Sequence, residues 1–267
     1  MRLLHWVLSP SSSTAKFPSE WGLPPATLES VWNASFSVLY SDIGPTFYAN
    51  CGPDATPGTG WINQGNVQTR WDIHADLSVP PSSVQWASLS LEQARQLYED
   101  DTTILKEEVR THAAAAPKGA VSFSFLPSDG VALFNVRRTM VIGTDLSVTL
   151  PVARWGIQLV PEGEHPAESA KGPFATWTLE LRGQPKVLLV TRFRASQEMF
   201  PDLLRKLLDV AKEEDVDLLE IWNLPEELEG IAQTLGGVTA TRDDHLPSFK
   251  WYGPESPNDV HWLYNEK

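Results

Sequence analysis

Strands and helices alternate along this sequence, and their order predicts a mixed α/β (α+β) layer fold. Three observations carry that expectation. Short runs at residues 155–160, 174–181, 186–193, 217–222 and 238–241 have strand character and are interleaved with helical patterns. Phe200 to Glu214 places Leu203, Leu204, Leu207, Leu208 and Ala211 on one helical face. The composition, 42% hydrophobic and 21% charged over 267 residues, is that of a globular chain. Such a length suits one large domain or two of about 100–150 residues.

From the start of the chain, residues 1–8 put Leu4, Val7 and Leu8 on one helical face. With no N-cap and no preceding turn, this reads as a helix entered part-way. Residues 9–34 contain Pro10, Pro18, Pro24 and Pro25 and read as a long loop. Ser35 to Tyr40 alternates polar and apolar residues, which predicts a strand. Asp42 is placed to cap a short helix over Ile43–Asn50. Pro45 is tolerated in its first turn and Gly52 suits its C-terminal end. Pro53, Pro57, Gly58, Gly60 and Gly65 mark a loop over 53–70, and Trp71 to His74 is compatible with a strand.

Pro80, Pro81, Ser82 and Ser83 read as a linker, dividing the chain into 1–78, a linker at 79–90, and 91–267. Ser90-Leu91-Glu92-Gln93 has capping-box spacing. It opens a helix with Leu91, Ala94, Leu97 and Tyr98 on one face, running to about Ala113, with Asp100-Asp101 the place where it would break. Val121 to Leu126 predicts a strand and Val131 to Met140 a helix. Pro225 to Leu235 predicts the last helix.

Charge narrows the partners. Lys plus Arg number 21 and Asp plus Glu 34, a net charge of -13. A surface this acidic repels phosphate backbones and anionic lipid, so neither nucleic acid nor a membrane is an expected partner. The single cysteine, Cys51, permits no intrachain disulfide, which suits a reducing, cytoplasmic setting. No apolar run approaches the ~20 residues of a membrane span. The six histidines, at 5, 74, 112, 165, 245 and 261, form no ligand-spaced pair, so no metal is expected. There is no Gly-x-Ser-x-Gly elbow either.

The segment Leu39-Tyr40-Ser41-Asp42-Ile43-Gly44-Pro45-Thr46-Phe47-Tyr48-Ala49-Asn50-Cys51-Gly52 is the most informative. A strand feeds a short helix bearing Phe47-Tyr48, and a glycine follows four residues after Tyr48. It resembles the strand-five and helix-four segment of the GNAT acyltransferase superfamily. The resemblance implies that Tyr48 lies beside the sulfur of acetyl-CoA, with Ser41 and Phe47 also on the cofactor side. A phenol held ~3 Å from a departing thiolate can protonate it. The other reading of Tyr48 is an aromatic packed in a core.

The opening Met1 to Leu8, the stretch Phe17 to Gly22, Phe174-Ala175-Thr176-Trp177, Ile221-Trp222-Asn223, Arg242 to Gly253 and Val260 to Lys267 extend the likeness over nearly the whole chain. Together they resemble the fungal lysine N-acetyltransferase branch of that superfamily. The resemblance implies a partial GNAT-type mixed sheet followed by a GNAT-like C-terminal domain that shapes the acceptor pocket. It also implies transfer of acetyl from acetyl-CoA to the side-chain amine of lysine, in lysine breakdown. Asp244 and His245 then become candidates for holding the cationic, small-molecule amine.

GNAT enzymes seat the pyrophosphate of their co-substrate through an (Arg/Gln)-x-x-Gly-x-(Gly/Ala) loop at a helix N-terminus. In the family that loop precedes the helix matched by Met1 to Leu8, so the expectation is an N-terminally truncated enzyme. The nearest match in the chain is Gln233-Thr234-Leu235-Gly236-Gly237-Val238, which ends in valine and reads as a helix C-cap. Arg194 to Met199, ahead of the 200–214 helix, contains no glycine, so the second half is expected not to bind acetyl-CoA. Two functions remain open: an acetyltransferase, and a catalytically inactive GNAT-derived binding or scaffold protein.

Overall fold

The computed structural model describes residues 2–8, 17, 19–23, 34–53, 56–82, 84–145, 154–160, 172–181 and 184–264. In chain order the elements are α1 (Arg2–Leu8), β1 (Phe36–Ser41), α2 (Pro45–Ala49), β2 (Ile62–Asn63), β3 (Val67–Asp72), β4 (Trp86–Leu89), α3 (Leu91–Ala115), β5 (Val121–Phe123) and α4 (Phe134–Asp145). There follow β6 (Gly156–Leu159), β7 (Phe174–Glu180), β8 (Val187–Arg194), α5 (Phe200–Glu213), β9 (Leu218–Trp222), α6 (Glu226–Thr234), β10 (Val238–Thr241), β11 (Leu246–Trp251) and β12 (Val260–Trp262). They group into two compact units, each assembled from segments distant in sequence. No described helix is long and apolar enough to cross a membrane.

The smaller unit takes Met1–Asn66, His112–Phe123 and Thr241–Leu263. Its three-stranded sheet has the order β1-β11-β2 and is antiparallel throughout, with Phe36 opposite Trp251 and Ser41 opposite Leu246. β5 and β12 form a separate parallel pair. The alternation read in β1 works because its inward side chains join an aromatic cluster. Phe36 stacks on Trp251 and tilts against Phe123, which contacts Phe249 and Trp262. Such ring pairs stabilise beyond the area they bury. α1 turns differently from its apolar pattern. Leu3, Leu4 and Val7 are exposed, and among its described side chains the one that is buried is His5.

The larger unit takes Val67–Thr111, Ser124–Ala240 and Tyr264–Lys267. Its seven-stranded sheet has the order β10-β3-β9-β8-β7-β6-β4. β6, β7 and β8 run as an antiparallel meander, and β9 lies parallel to β8. A parallel neighbour requires a crossover, and α5 supplies it. Seven residues of α5 are buried, among them Leu203, Leu204, Leu207, Leu208 and Ala211, as the 3.6-residue spacing required. Trp71, Trp177, Leu188, Leu219 and Ile221 meet that face of the helix in one core. The register between β7 and β8 shifts at Thr176/Trp177, leaving Thr191 as the extra residue of a bulge.

Several expectations change here. Residues 86–89, placed in the linker, form β4 and pair with β6. β3 sits in the larger unit's sheet beside β9, while β11 pairs with β1, so the units divide at residue 66/67 and again at 240/241. The helix expected to run to about Ala113 extends to Ala115 and has no break at Asp100-Asp101. Asp101 is buried and bridges two arginines, Arg192 and Arg194, so its charge does not disrupt the helix. The capping box is present: the amide of Gln93 donates to Ser90 Oγ at 3.3 Å, and the amide of Ser90 to Gln93 Oε1 at 2.8 Å. Pro18 and most of the 9–34 loop lie outside the described residues, as does the end Asn265–Lys267.

Candidate active site

The Tyr48 segment is built from the end of β1. Ser41 is buried, and its Oγ accepts from the amide of Ile43 at 3.0 Å. The hydroxyl read as cofactor-facing is therefore engaged by its own backbone. The chain then turns through Gly44, whose φ of 81 favours glycine, into Pro45 at the first turn of α2. Asp42 does not cap this helix; its N-cap is Gly44 and no side chain caps it.

α2 has five residues, too short to hold itself, so tertiary contacts fix it. The carbonyl of Tyr48 accepts from the amides of Cys51 and Trp61, each at 3.1 Å, and the carbonyl of Ala49 from the amide of Gly60 at 2.8 Å. Gly60 has to be glycine for this approach, because a Cβ there would lie 2.0 Å from the Tyr48 carbonyl oxygen. The Tyr48 ring stands edge-on to Phe47 and to Trp61. Trp61 is 1% exposed, Phe47 49%, and Tyr48 is half-buried. The half-buried phenol is carried on a clamped turn, edge-on to a buried indole.

Behind Trp61 lies His5, ring centroids 4.4 Å apart. His5 Nε2 is 2.7 Å from the carbonyl oxygen of Cys51, an acceptor only, so Nε2 carries the proton. Nδ1 therefore accepts, from the hydroxyl of Tyr252 at 2.9 Å, and Ser37 Oγ donates to that hydroxyl at 3.0 Å. Burial lowers the pKa of His5, helped by the positive charge of Lys250 and opposed by the Cys51 hydrogen bond. Burial also raises the pKa of Tyr252, against the effect of Ser37.

At the same end of β1, His245 immediately precedes β11. Asp42 Oδ1 accepts from the amide of His245 at 2.8 Å and lies 2.9 Å from its Nδ1. The φ of His245 is 46, an uncommon left-handed conformation for a side-chain-bearing residue. Arg242, 2% exposed, holds the turn: Nη1 donates to the carbonyl of His245 at 3.0 Å and Nη2 to that of Gly65 at 3.1 Å. Asp244 is exposed, and its carbonyl is within 3.5 Å of Arg242 Nη1. Tyr40 has its pKa pushed up to about 12, chiefly by burial of its hydroxyl and despite the nearby Arg242.

Of the sequence-predicted residues, Ser41, Phe47, Tyr48, Asp244 and His245 all fall in the smaller unit, and β1 pairing with β11 brings Ser41 opposite Leu246, next to His245. Asp42, Arg242, Trp61 and His5 were not singled out as site residues. Asp42 and His245 are 203 residues apart, a pairing that no local pattern reports.

The larger unit repeats the strand–helix–strand–helix order in β8, α5, β9 and α6, but the start of α5 is poorly suited to an anion. The amides of Met199 and Phe200 are used by the carbonyl of Ser196, and Pro201 has none. Glu198 and Asp202 add negative charge there. Gln233 to Val238 caps α6: the amides of Gly236 and Gly237 donate to the carbonyls of Gln233 and Ala232. α6 itself carries no tyrosine.

An antiparallel meander, a parallel strand reached through a helix, and a bulge in β8 define a GNAT-like α/β domain. Residues 71–267 match the family described as LYC1 GNAT-like C-terminal domain, and the chain belongs to that family. No curated protein matches it. The family membership gives the acetyltransferase type of domain in general.

Proposed function

We propose that the chain is an acetyl-CoA-dependent N-acetyltransferase acting on the side-chain amine of lysine, with Tyr48 as general acid. The observation supporting this is the clamped, half-buried phenol on α2 just after a strand, in a chain of a GNAT-like family. Acetyl-CoA supplies the thioester and its acyl group. The smaller unit's residues suit the sulfur end: Tyr48 donates a proton to the departing sulfur, and Trp61 and Gly60 keep its helix in place. The start of α5 does not suit the pyrophosphate end, for the reasons of charge and spent amides given above. The setting we propose is the cytoplasm, and the acceptor a small amine rather than a nucleic acid or a membrane.

Thiol release from acetyl-CoA in the presence of lysine tests the reading. Turnover would support it, and Tyr48→Phe is then expected to lower kcat ~10²–10⁴-fold with KM nearly unchanged. Turnover unaffected by Tyr48→Phe makes Tyr48 a packed aromatic. The second reading, a non-catalytic GNAT-derived binding protein, is favoured by the unsuited start of α5, and it gains if calorimetry finds no acetyl-CoA binding.

A further inference from the structure

We infer that α1 is an acid-releasable latch: protonation of His5 undocks this helix from the segment that follows α2, while the rest of the smaller unit stays folded. The inference does not depend on the chemistry assigned to Tyr48. It begins with how α1 is held. Seven residues are too few for a helix to persist unaided. Apolar burial does not anchor it, because Leu3, Leu4 and Val7 face out. Polar contacts do. His5 Nε2 donates to the carbonyl of Cys51 at 2.7 Å, and Trp6 Nε1 donates to the carbonyl of Pro53 at 3.2 Å. The Leu8 carbonyl accepts from the amide of Ala34 at 2.8 Å. Of these anchors, His5 is the one that titrates near neutral pH.

The His5 ring is 3% exposed, with the Trp61 indole at 4.4 Å and the Tyr252 phenol edge-on at 5.8 Å. Its neutral form donates at Nε2 and accepts at Nδ1; a protonated ring donates at both. The Tyr252 hydroxyl could accept from it by turning its own hydrogen toward Ser37 Oγ, 3.0 Å away. That gives the ring an acceptor but leaves a cation sealed from water. The charged groups acting on it, Lys250 on β11 and the chain's amino terminus, are both positive. Cys51 presents a carbonyl and Tyr252 a phenol, neither a counter-ion. The Trp61 face attracts a cation only weakly beside the cost of burying one. Burial is accordingly the largest cause holding the His5 pKa below 6.5.

The smallest rearrangement that hydrates the ring is withdrawal of α1. It leaves the β1-β11-β2 sheet intact, along with the ring contacts of Phe36, Phe123, Phe249 and Trp251. Elements with few buried apolar contacts open first, and α1 is such an element. The opening bears on α2 as well. The amide of Cys51 donates to the Tyr48 carbonyl at 3.1 Å, so the segment that α1 braces is the one closing the α2 turn.

¹⁵N NMR of the full chain, titrated from about pH 7.5 to about pH 4.5, tests this. The amides of Arg2–Leu8 and the Trp6 indole should move together toward free-peptide positions. Their midpoint should lie below 6.5 and coincide with that of the His5 imidazole, while the amides of β1 and β11 stay native. His5→Gln supplies a donor and an acceptor that gain no proton, so it should keep α1 docked at the acid end. Should the glutamine not dock at neutral pH, the shared midpoint in the wild-type chain decides alone. Three results overturn the latch: α1 signals that stay native after His5 has titrated, release at the same midpoint in a docked His5→Gln, and loss of β1 and β11 signals in step with α1.

Discussion

His5 donates from Nε2 to the carbonyl oxygen of Cys51 at 2.7 Å, which joins α1 to the chain just beyond α2. The same ring accepts from Tyr252, beyond the end of β11. One imidazole therefore ties three separate segments of the smaller unit, and it does so in its neutral form. A protonated ring would have to donate at Nδ1 as well, where Tyr252 already donates.

This makes the unit acid-sensitive. Burial places the folded pKa of His5 below its ordinary value of 6.5. The unfolded chain thus binds the proton more readily, and stability rises with pH across that window. The contribution is complete above about pH 6.5 and is lost as pH falls through the lowered folded value. Thermal melts between about pH 5 and 7.5 should show this slope, and His5→Gln should flatten it. Equal slopes in both proteins would remove His5 as the cause.

Asp101 predicts a larger loss. It is fully buried on α3, with Arg192 Nε 2.7 Å from Oδ2 and Arg194 on Oδ1. Arg194 has a second carboxylate, Glu108, at 2.6 and 3.0 Å. Arg192 is itself 5% exposed, its guanidinium 5.5 Å from the centre of the Tyr264 ring. Removing one member of a buried pair strands the other, at a cost of about 3–5 kcal/mol. Urea unfolding of Asp101→Asn should show a loss of that size. A change under about 1 kcal/mol would mean that water or Glu108 replaces Asp101.

Two glycines give opposite signs. Gly60→Ala would put a Cβ 2.0 Å from the Tyr48 carbonyl and 2.8 Å from that of Ala49, both backbone atoms. The clamp on α2 has to open, a loss of about 1–3 kcal/mol. Gly230, inside α6, has nothing within 4 Å of the same added atom. Gly230→Ala should stabilise by about 0.5–1 kcal/mol, through helix propensity and a less flexible unfolded chain. Denaturant midpoints of the two variants on opposite sides of wild type are the expected result.

Local chemistry made much of the fold legible, and long-range pairing is where sequence reading stopped. The Ser90 capping box and the leucine face of α5 depend on neighbours within four residues, and both are present. Asp42 has a capping residue's identity and position, yet its carboxylate serves His245 because β11 lies beside β1. The strand pattern of β3 reports its burial but not its neighbour, so its place beside β9 was hidden. α1 misled for a related reason. Its leucines look like the inward face, but a histidine with two hydrogen bonds and an indole against it takes the interior.

The phenols give the last prediction, at alkaline pH. Burial is the main cause raising the pKa of Tyr40, Tyr98, Tyr252 and Tyr264, and for Tyr40 the value is about 12. In an unfolded chain a tyrosine ionises near ~10. Between those values the folded state holds protons that the unfolded state has released, so stability falls as pH rises through the window. Tyr40 contributes although 37% of its surface is exposed, because the hydroxyl rather than the ring edge is what burial shields. Ultraviolet titration of tyrosinate should therefore lag in native protein relative to urea-unfolded chain. Tyr40→Phe should remove one of the late increments of the native curve. A native increment for Tyr40 near ~10 would show that its hydroxyl is open to water.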